Sequence, residues 1–398
     1  MEGVIGGHGW CWLYGFDSFF VMKRYIPFLI FLAIFGYGWG QSAEYVKEVV
    51  CRLSADEMKG RGYSQGGDSL AADFIASELK RHGAKPYGDS YLQRYPLDIF
   101  TIDGVCRLKV DGKELRPYDQ FKLKPMRTLT KEWLEKARWR TEKDGIWYIG
   151  VEKLGMSVPL TPFDDMKAPY VVEVLDSVGT KPPKKIKADL TVTPRMGYMS
   201  QNVCGYIPGE TDTMVVFTAH YDHLGMMGDK VCFHGAHDNA SGVATVLDIA
   251  RRYGLSKPHY TLVFCFFSGE EAGLLGSSYM AQHPLFDLKK VRLLVNLDLL
   301  CGGSEGFMVV NGKAENTTPF VNRMKARNEE RHLLPEIKLR DNAANSDHWW
   351  FSKECPAIFI YTLGGRYGDY HSPYDTCDKC GIEDTYEKVL QVILATIE

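Results

Sequence analysis

The feature that most constrains the fold is a series of apolar segments that each run into a polar cluster. Val215, Val216 and Phe217 form a buried-strand pattern that closes on His220-Tyr-Asp222-His223, and after a short loop His237-Asp238-Asn-Ala-Ser-Gly242 opens an apolar stretch over 243–250. That stretch has the spacing of a helix packed on the strand. Polar residues at the carboxyl end of a strand and at a helix start occupy the place where open α/β sheets collect ligands. The pattern recurs: the strand-like run 262–267 leads into Ser268-Gly-Glu270-Glu271, and the run 291–297 leads into Asp298. Strand and helix alternate from Gln201 onward. This predicts an α/β fold with a mixed, mostly parallel central sheet flanked by helices.

Upstream, residues 43–53 and 69–82 have helical spacing, the second ending at Gly83, with the glycine-flanked loop Met58-Lys-Gly-Arg-Gly62 between them. From Tyr91 to about Thr193 the pattern changes to short alternating stretches broken by Gly, Pro and a Lys-rich turn over 181–187. Residues 97–197 are thus expected to be a mostly β insertion or lid with one helix near 131–138, set into a single domain made of 41–96 and 198–398.

Composition excludes several classes. The 398 residues, 45% hydrophobic and 24% charged, suffice for a full-sized core, and 47 basic against 50 acidic side chains, with no basic run, argue against a nucleic-acid partner. Met22-Lys-Arg24, an apolar run to Phe35 and the small residues of Gly36-Tyr-Gly-Trp-Gly40 have the anatomy of a secretory signal. Residues 1–40 are therefore expected to be leader and signal peptide, with Met22 as the true start and the mature chain exported to a periplasm or the outside. The run falls short of the roughly 20 residues that cross a bilayer, so no stable membrane span is expected once the signal is removed. Of ten cysteines, Cys265 lies in a core-strand pattern, while Cys377-Asp-Lys-Cys380 is open to four readings: a redox pair, half of a metal site, a local disulfide or two unpaired thiols.

Two histidines and several carboxylates thus arrive on one sheet edge from separate segments: His220, Asp222, Asp238, Glu270, Glu271, Asp298 and, from the loop after Tyr367, His371. Singly, each has an ordinary reading, as a hydrogen-bonded histidine, a helix cap or a solvated glutamate. Together they are a zinc-compatible set large enough for two ions sharing a bridge. Asp298 adds weight, because an unpaired carboxylate after so apolar a strand is costly.

In order, His220-x-Asp222, Asp238-Asn-Ala-Ser-Gly242, Ser268-Gly-Glu270-Glu271-x-Gly-Leu-Leu-Gly276, Asn296-Leu-Asp298 and His371-Ser-Pro-Tyr-Asp375 resemble the successive motifs of the M28 family of zinc aminopeptidases. The resemblance covers about 45–95 and 198–398, with Lys59-Gly-Arg-Gly62 matching that family's N-terminal loop. It implies two Zn2+ ions, one held by His220 and Asp298, the other by Glu271 and His371, with Asp238 bridging. It further implies that Asp222 orients His220, that Glu270 is the general base, and that Asp347 and His348 support the site from behind. Tyr370 is either a donor to the oxyanion or an aromatic packed under its loop. His223 and His237 fall to flanking residues. Asn345 stands where some relatives carry Arg, and Trp349-Trp350-Phe351 is either pocket lining or core. The implied activity is removal of N-terminal residues from peptides; a single-zinc glutaminyl cyclase, a carboxypeptidase of the same fold and a non-catalytic binding module are the alternatives.

Overall fold

The structure, a computed structural model, describes residues 42–126, 131–160, 170–364 and 368–397. The expected signal segment and Tyr367 lie outside the described residues.

Four parallel strands form the centre of a 12-stranded sheet, in the order Thr261–Phe267, Met214–His220, Val291–Leu297 and Ala357–Thr362. Their near-continuous apolar sequences follow from burial on both faces. Successive residues serve opposite sides: Val215, Phe217 and Ala219 join the core beneath helices 42–53, Gly67–Arg81, Ser241–Tyr253 and Ile382–Leu394, whereas Val216 packs with Met280 and Phe351 on the other face. Antiparallel strands extend both sides, Ile186–Ile207 beside Thr261–Phe267 and Phe307–Val310 beside Ala357–Thr362. Register fixes what matters for chemistry. Phe267 pairs with His220 and Leu297 with Ile360, so the central strands end level and release their polar residues on one edge.

Leu92–Val110 and Ile186–Ile207 pair antiparallel from Leu92↔Val203 to Val110↔Ile186, leaving the main sheet as a two-stranded arm. Beyond it stands a four-stranded sheet ordered Phe121–Pro125, Tyr170–Leu175, Ile146–Val151, Trp139–Lys143, with a helix at Lys131–Lys136. This unit is not freely appended. Its core, including Phe121, Tyr148 and Val172, is shared with Met227 and Phe233 from the loop that follows His223. Among the described residues no helix is long and apolar enough to cross a membrane.

The cysteines correct the reading of Cys377-Asp-Lys-Cys380. Cys377 is bonded to Cys51 and Cys380 to Cys301, so the pair is two halves of two long-range disulfides. Sequence spacing could not show this, because both partners are distant in the chain and approach only when the last helix docks. The Cys301–Cys380 bond spans a separation of 79 residues just behind Asp298. Replacing both by Ser is expected to cost about 4 kcal/mol, the chain-entropy estimate for a loop of that length. A urea midpoint unchanged from the parent would contradict it.

Candidate metal centre

Two imidazoles share one carboxylate. His220 Nε2 lies 3.2 Å from Asp238 Oδ1 and 3.3 Å from Asp298 Oδ1. His371 Nε2 lies 3.1 Å from Asp238 Oδ2 and 3.2 Å from Glu271 Oε2. Asp238 therefore offers one oxygen to each histidine. Ligand atoms on a tetrahedral zinc, each at about 2.0–2.1 Å, stand about 3.3 Å apart, which these spacings match more closely than the roughly 2.8 Å of a charge-assisted hydrogen bond. Asp238 Oδ2, Asp298 Oδ1 and His371 Nε2 are buried with no hydrogen-bond partner among the described residues. Such groups are expensive unless something else satisfies them. The donor set and its orphaned atoms thus fit zinc.

The opposite ring nitrogens are held by backbone carbonyls. His220 Nδ1 is 3.1 Å from the Asp222 carbonyl oxygen, and His371 Nδ1 is 2.8 Å from that of Ser157. Each bond sets the tautomer that leaves Nε2 with its lone pair toward the centre. Asp222 thus contacts His220 through its backbone, while its carboxylate Oδ1 stands 3.7 Å from Nδ1. That carboxylate accepts instead from Tyr63 Oη at 2.9 Å and from the Glu270 amide at 3.2 Å, linking the two strand ends. Ser157 belongs to the insertion, so the insertion itself orients a residue of the centre.

The electrostatics follow from crowding. Burial opposes a charge on His371, but Glu271 and Asp238 outweigh it and carry its pKa up to about 11. Burial likewise opposes ionisation of Glu271, yet His371 and His223 draw it down to about 2. Glu270 goes the other way: burial, then Asp347, Glu271 and Asp298, push it well above the usual carboxylate range against the pull of His220. Asp222, Asp238, Glu271 and Asp298 each face an imidazole at ion-pair distance, and Glu270 faces none among the described residues.

Local sequence explains how the loops hold this shape. Asn239 donates to the Leu297 carbonyl at 2.9 Å and accepts from the Gly242 amide at 2.9 Å, splicing the helix start onto the Asp298 strand. Asp375 of the His371 motif accepts from the amides of His237 and Asp238 at 2.8 and 3.1 Å. Ser346 Oγ donates to Asp298 Oδ2 at 3.0 Å. At Gly242 an added Cβ would meet the Leu297 carbonyl oxygen at 2.3 Å and Asn239 Oδ1 at 2.4 Å. Gly242→Ala is therefore expected to cost about 1–3 kcal/mol, as overpacking does, measured as a lowered denaturation midpoint; an unshifted midpoint would refute the close-approach account.

Of the residues expected at the site, His220, Asp238, Glu271, Asp298 and His371 converge, with Glu270 and Asp222 beside them. Tyr370, 43% exposed, stacks on the His371 ring at a centroid distance of 4.0 Å. Asp347 is fully buried and burial raises its pKa to about 7, with the charge of His220 opposing. His348 is buried too, Asn345 is exposed, and of the aromatic trio Phe351 is core while Trp349 and Trp350 are half-buried. His237 accepts from the Cys301 amide at 3.1 Å and is structural. His223, expected to be a flanking residue, reaches into the cluster. Its Nδ1 lies 2.8 Å from Glu271 Oε1 and 3.8 Å from Asp238 Oδ2. The available signal was its place in the strand-end cluster, three residues after His220.

A cavity opens beside the centre, between the loop 223–227 and the insertion. Three of its lining residues each bond a site residue: Tyr63 to Asp222, Ser157 to His371 and His223 to Glu271. Its other walls are largely apolar, among them Ile99, Leu160 and Met226, with Lys122 contributing a charge.

Fold and site together define an α/β protein with a buried, zinc-compatible centre on one sheet edge. The model of peptidase family M28 matches residues 202–397. The chain is 31% identical over 185 residues to a probable leucine aminopeptidase of Arthroderma otae, an alignment covering 44% of this chain and 50% of that protein. The chain spans about half the length of the curated relatives it matches first. A zinc aminopeptidase from Bacillus subtilis superposes with a TM-score of 0.66 at 18% identity, over 89% of this chain and 94% of the other. A glutaminyl cyclase from Bacteroides thetaiotaomicron does so with a TM-score of 0.53 at 16% identity, over 90% and 97%. At these identities the likeness is one of fold.

Proposed function

We propose that this chain is an exported di-zinc aminopeptidase. The observation that carries the reading is Asp238, whose two oxygens each face a different histidine at ligand spacing. His220 and Asp298 would hold one zinc, Glu271 and His371 the other, and Asp238 both. His223, bonded to Glu271, would fix that carboxylate's orientation. Zinc supplies Lewis-acid polarisation of the scissile carbonyl and a lowered pKa for the attacking water. Glu270, left outside the ligand pairs, takes a proton from that water and delivers it to the departing amine as the C–N bond breaks. The Tyr370 hydroxyl, kept protonated by burial and by the carboxylates of Asp238 and Glu271, is a donor for the developing oxyanion. Export is supported by the signal-like segment after Met22 and by the two long-range disulfides, which persist in oxidising compartments.

The test is metal content together with substrate choice. Two zinc ions per chain, release of free amino acids from unblocked peptides and loss of activity with a chelator are expected. One zinc with pyroglutamate formation would establish the cyclase reading instead, and cleavage only from the carboxyl end would establish a carboxypeptidase.

The cavity gives this reading a specificity. Its apolar walls suit the side chain of the peptide's N-terminal residue, and filling it should discriminate by size. Leu160→Trp is expected to lower kcat/KM for Leu and Phe substrates at least tenfold, the lower end of the roughly 10- to 200-fold that fit in an apolar pocket is worth, while sparing Ala. Equal effects on all three would assign the pocket elsewhere.

A further inference from the structure

Among the described residues, one group of ligand-type side chains outside the centre described above has no part in the mechanism. Asp56, Cys232 and His234 each place one donor atom within 4.8 Å of the other two. They come from two segments, the turn Asp56–Arg61, and the short strand Val231–Cys232 with the loop that follows it.

The histidine is prepared in the same way as those of the main centre. His234 Nδ1 donates to the Pro373 carbonyl at 2.7 Å, and its Nε2 faces Asp56 Oδ1 at 2.9 Å, a hydrogen-bond spacing in which a cation would take the place of the shared proton. A carbonyl holding the far nitrogen is the usual support of a metal-binding imidazole. Burial and the charge of Asp56 push the Cys232 thiol up to about 11, against Arg61 and the Gly60 backbone N–H, so a cation binds here by displacing the thiol proton. Cys232 is buried, whereas the Asp56 side chain is 79% exposed, so the group opens to solvent on one side and leaves room for water as a further ligand. A surface Asp–His pair would explain two of these residues but not the cysteine beside them. A thiolate and a carboxylate together balance a divalent charge, and sulfur with imidazole selects borderline or soft cations over calcium and magnesium.

We propose that Asp56, Cys232 and His234 form a second, mononuclear site for a thiophilic divalent cation such as Zn2+ or Cd2+. Binding releases the thiol proton to solvent. The ion would tie the turn Asp56–Arg61 to the loop that leads to Asp238. Arg61, in the same turn, already holds the carbonyls of His234, Gly235 and Asp238.

The probe is cadmium titrated into the full chain already loaded with zinc, read by the ultraviolet thiolate-to-cadmium charge-transfer band. The main centre contains no sulfur ligand and is silent in this measurement. The expected result is a band that saturates at one equivalent, is abolished by Cys232→Ser, and needs at least tenfold more cadmium in Asp56→Asn and in His234→Gln. Asp56 is at the surface, so that variant leaves the fold intact. No band in the parent, a band that survives Cys232→Ser, or one indifferent to both of the other substitutions would each overturn the site.

Discussion

Glu270→Gln is expected to lower kcat by about 10²- to 10⁴-fold, the usual weight of general acid–base catalysis, with zinc content and melting temperature unchanged. The substitution keeps the size of the side chain and the backbone N–H that bonds Asp222. It removes only the group that carries the proton. Glu270 suits that task because its neighbours are mostly carboxylates: burial and the charges of Asp347, Glu271 and Asp298 raise its affinity for a proton. Glu271, one residue on, faces His223 and His371 and is drawn the other way. Adjacent glutamates are thus separated into a base and a ligand by what each faces. A variant retaining kcat within tenfold of the parent would place the base elsewhere and remove the support for hydrolysis by this route.

The second large effect concerns a residue far less conspicuous in the sequence. Arg61 is fully buried and donates to five backbone carbonyls, those of Leu53, Tyr221, His234, Gly235 and Asp238, at 2.7 to 3.0 Å. Two of these carbonyls belong to residues next to or within the metal centre. Arg61→Leu removes that donor from all five; the Gly235 carbonyl keeps the Ala240 amide at 3.2 Å, and each of the others costs roughly 1–3 kcal/mol where water does not reach it. Their sum is comparable with the whole stability of a domain, about 5–15 kcal/mol. The expected outcome is little or no folded protein, and at minimum a loss of about 4 kcal/mol in denaturant unfolding. Arg61→Lys, with a compact ammonium in place of the planar fork, should fall between. A folded Arg61→Leu protein within about 1 kcal/mol of the parent would show that these carbonyls find other partners.

Legibility in the sequence followed the physics of each feature. The central strands were readable because burial on both faces demands continuous apolar runs, and the polar residues that end them stand out against that background. Asp298 is visible for the same reason. His223 was discounted because spacing alone cannot tell whether a histidine three residues past a strand end turns toward the centre or away. In the folded chain its Nδ1 reaches Glu271, a neighbour contributed by a different strand. Cys377 and Cys380 misled in the opposite direction, since proximity in sequence suggested a local unit where each thiol has a remote partner. Arg61 was marked only as part of the Lys59-Gly-Arg-Gly62 motif, with no sign of the bonds it makes. Its weight comes from Gly60 and Gly62, which let that loop lie against the backbone of Gly225, where an added Cβ would stand 2.3 and 2.4 Å from its atoms.

The sequence by itself determined the sheet, the edge on which the polar residues gather and the zinc-type chemistry of His220, Asp238, Glu271, Asp298 and His371, because strand periodicity and donor chemistry are local properties. The division of those residues into pairs was implied by the family resemblance, and only the tertiary structure shows the distances behind it: which oxygen of Asp238 meets which imidazole, and that Ser157 of the insertion holds His371. Those are distances between segments remote in the chain, set by strand register and by the packing of the insertion onto the loop after His223.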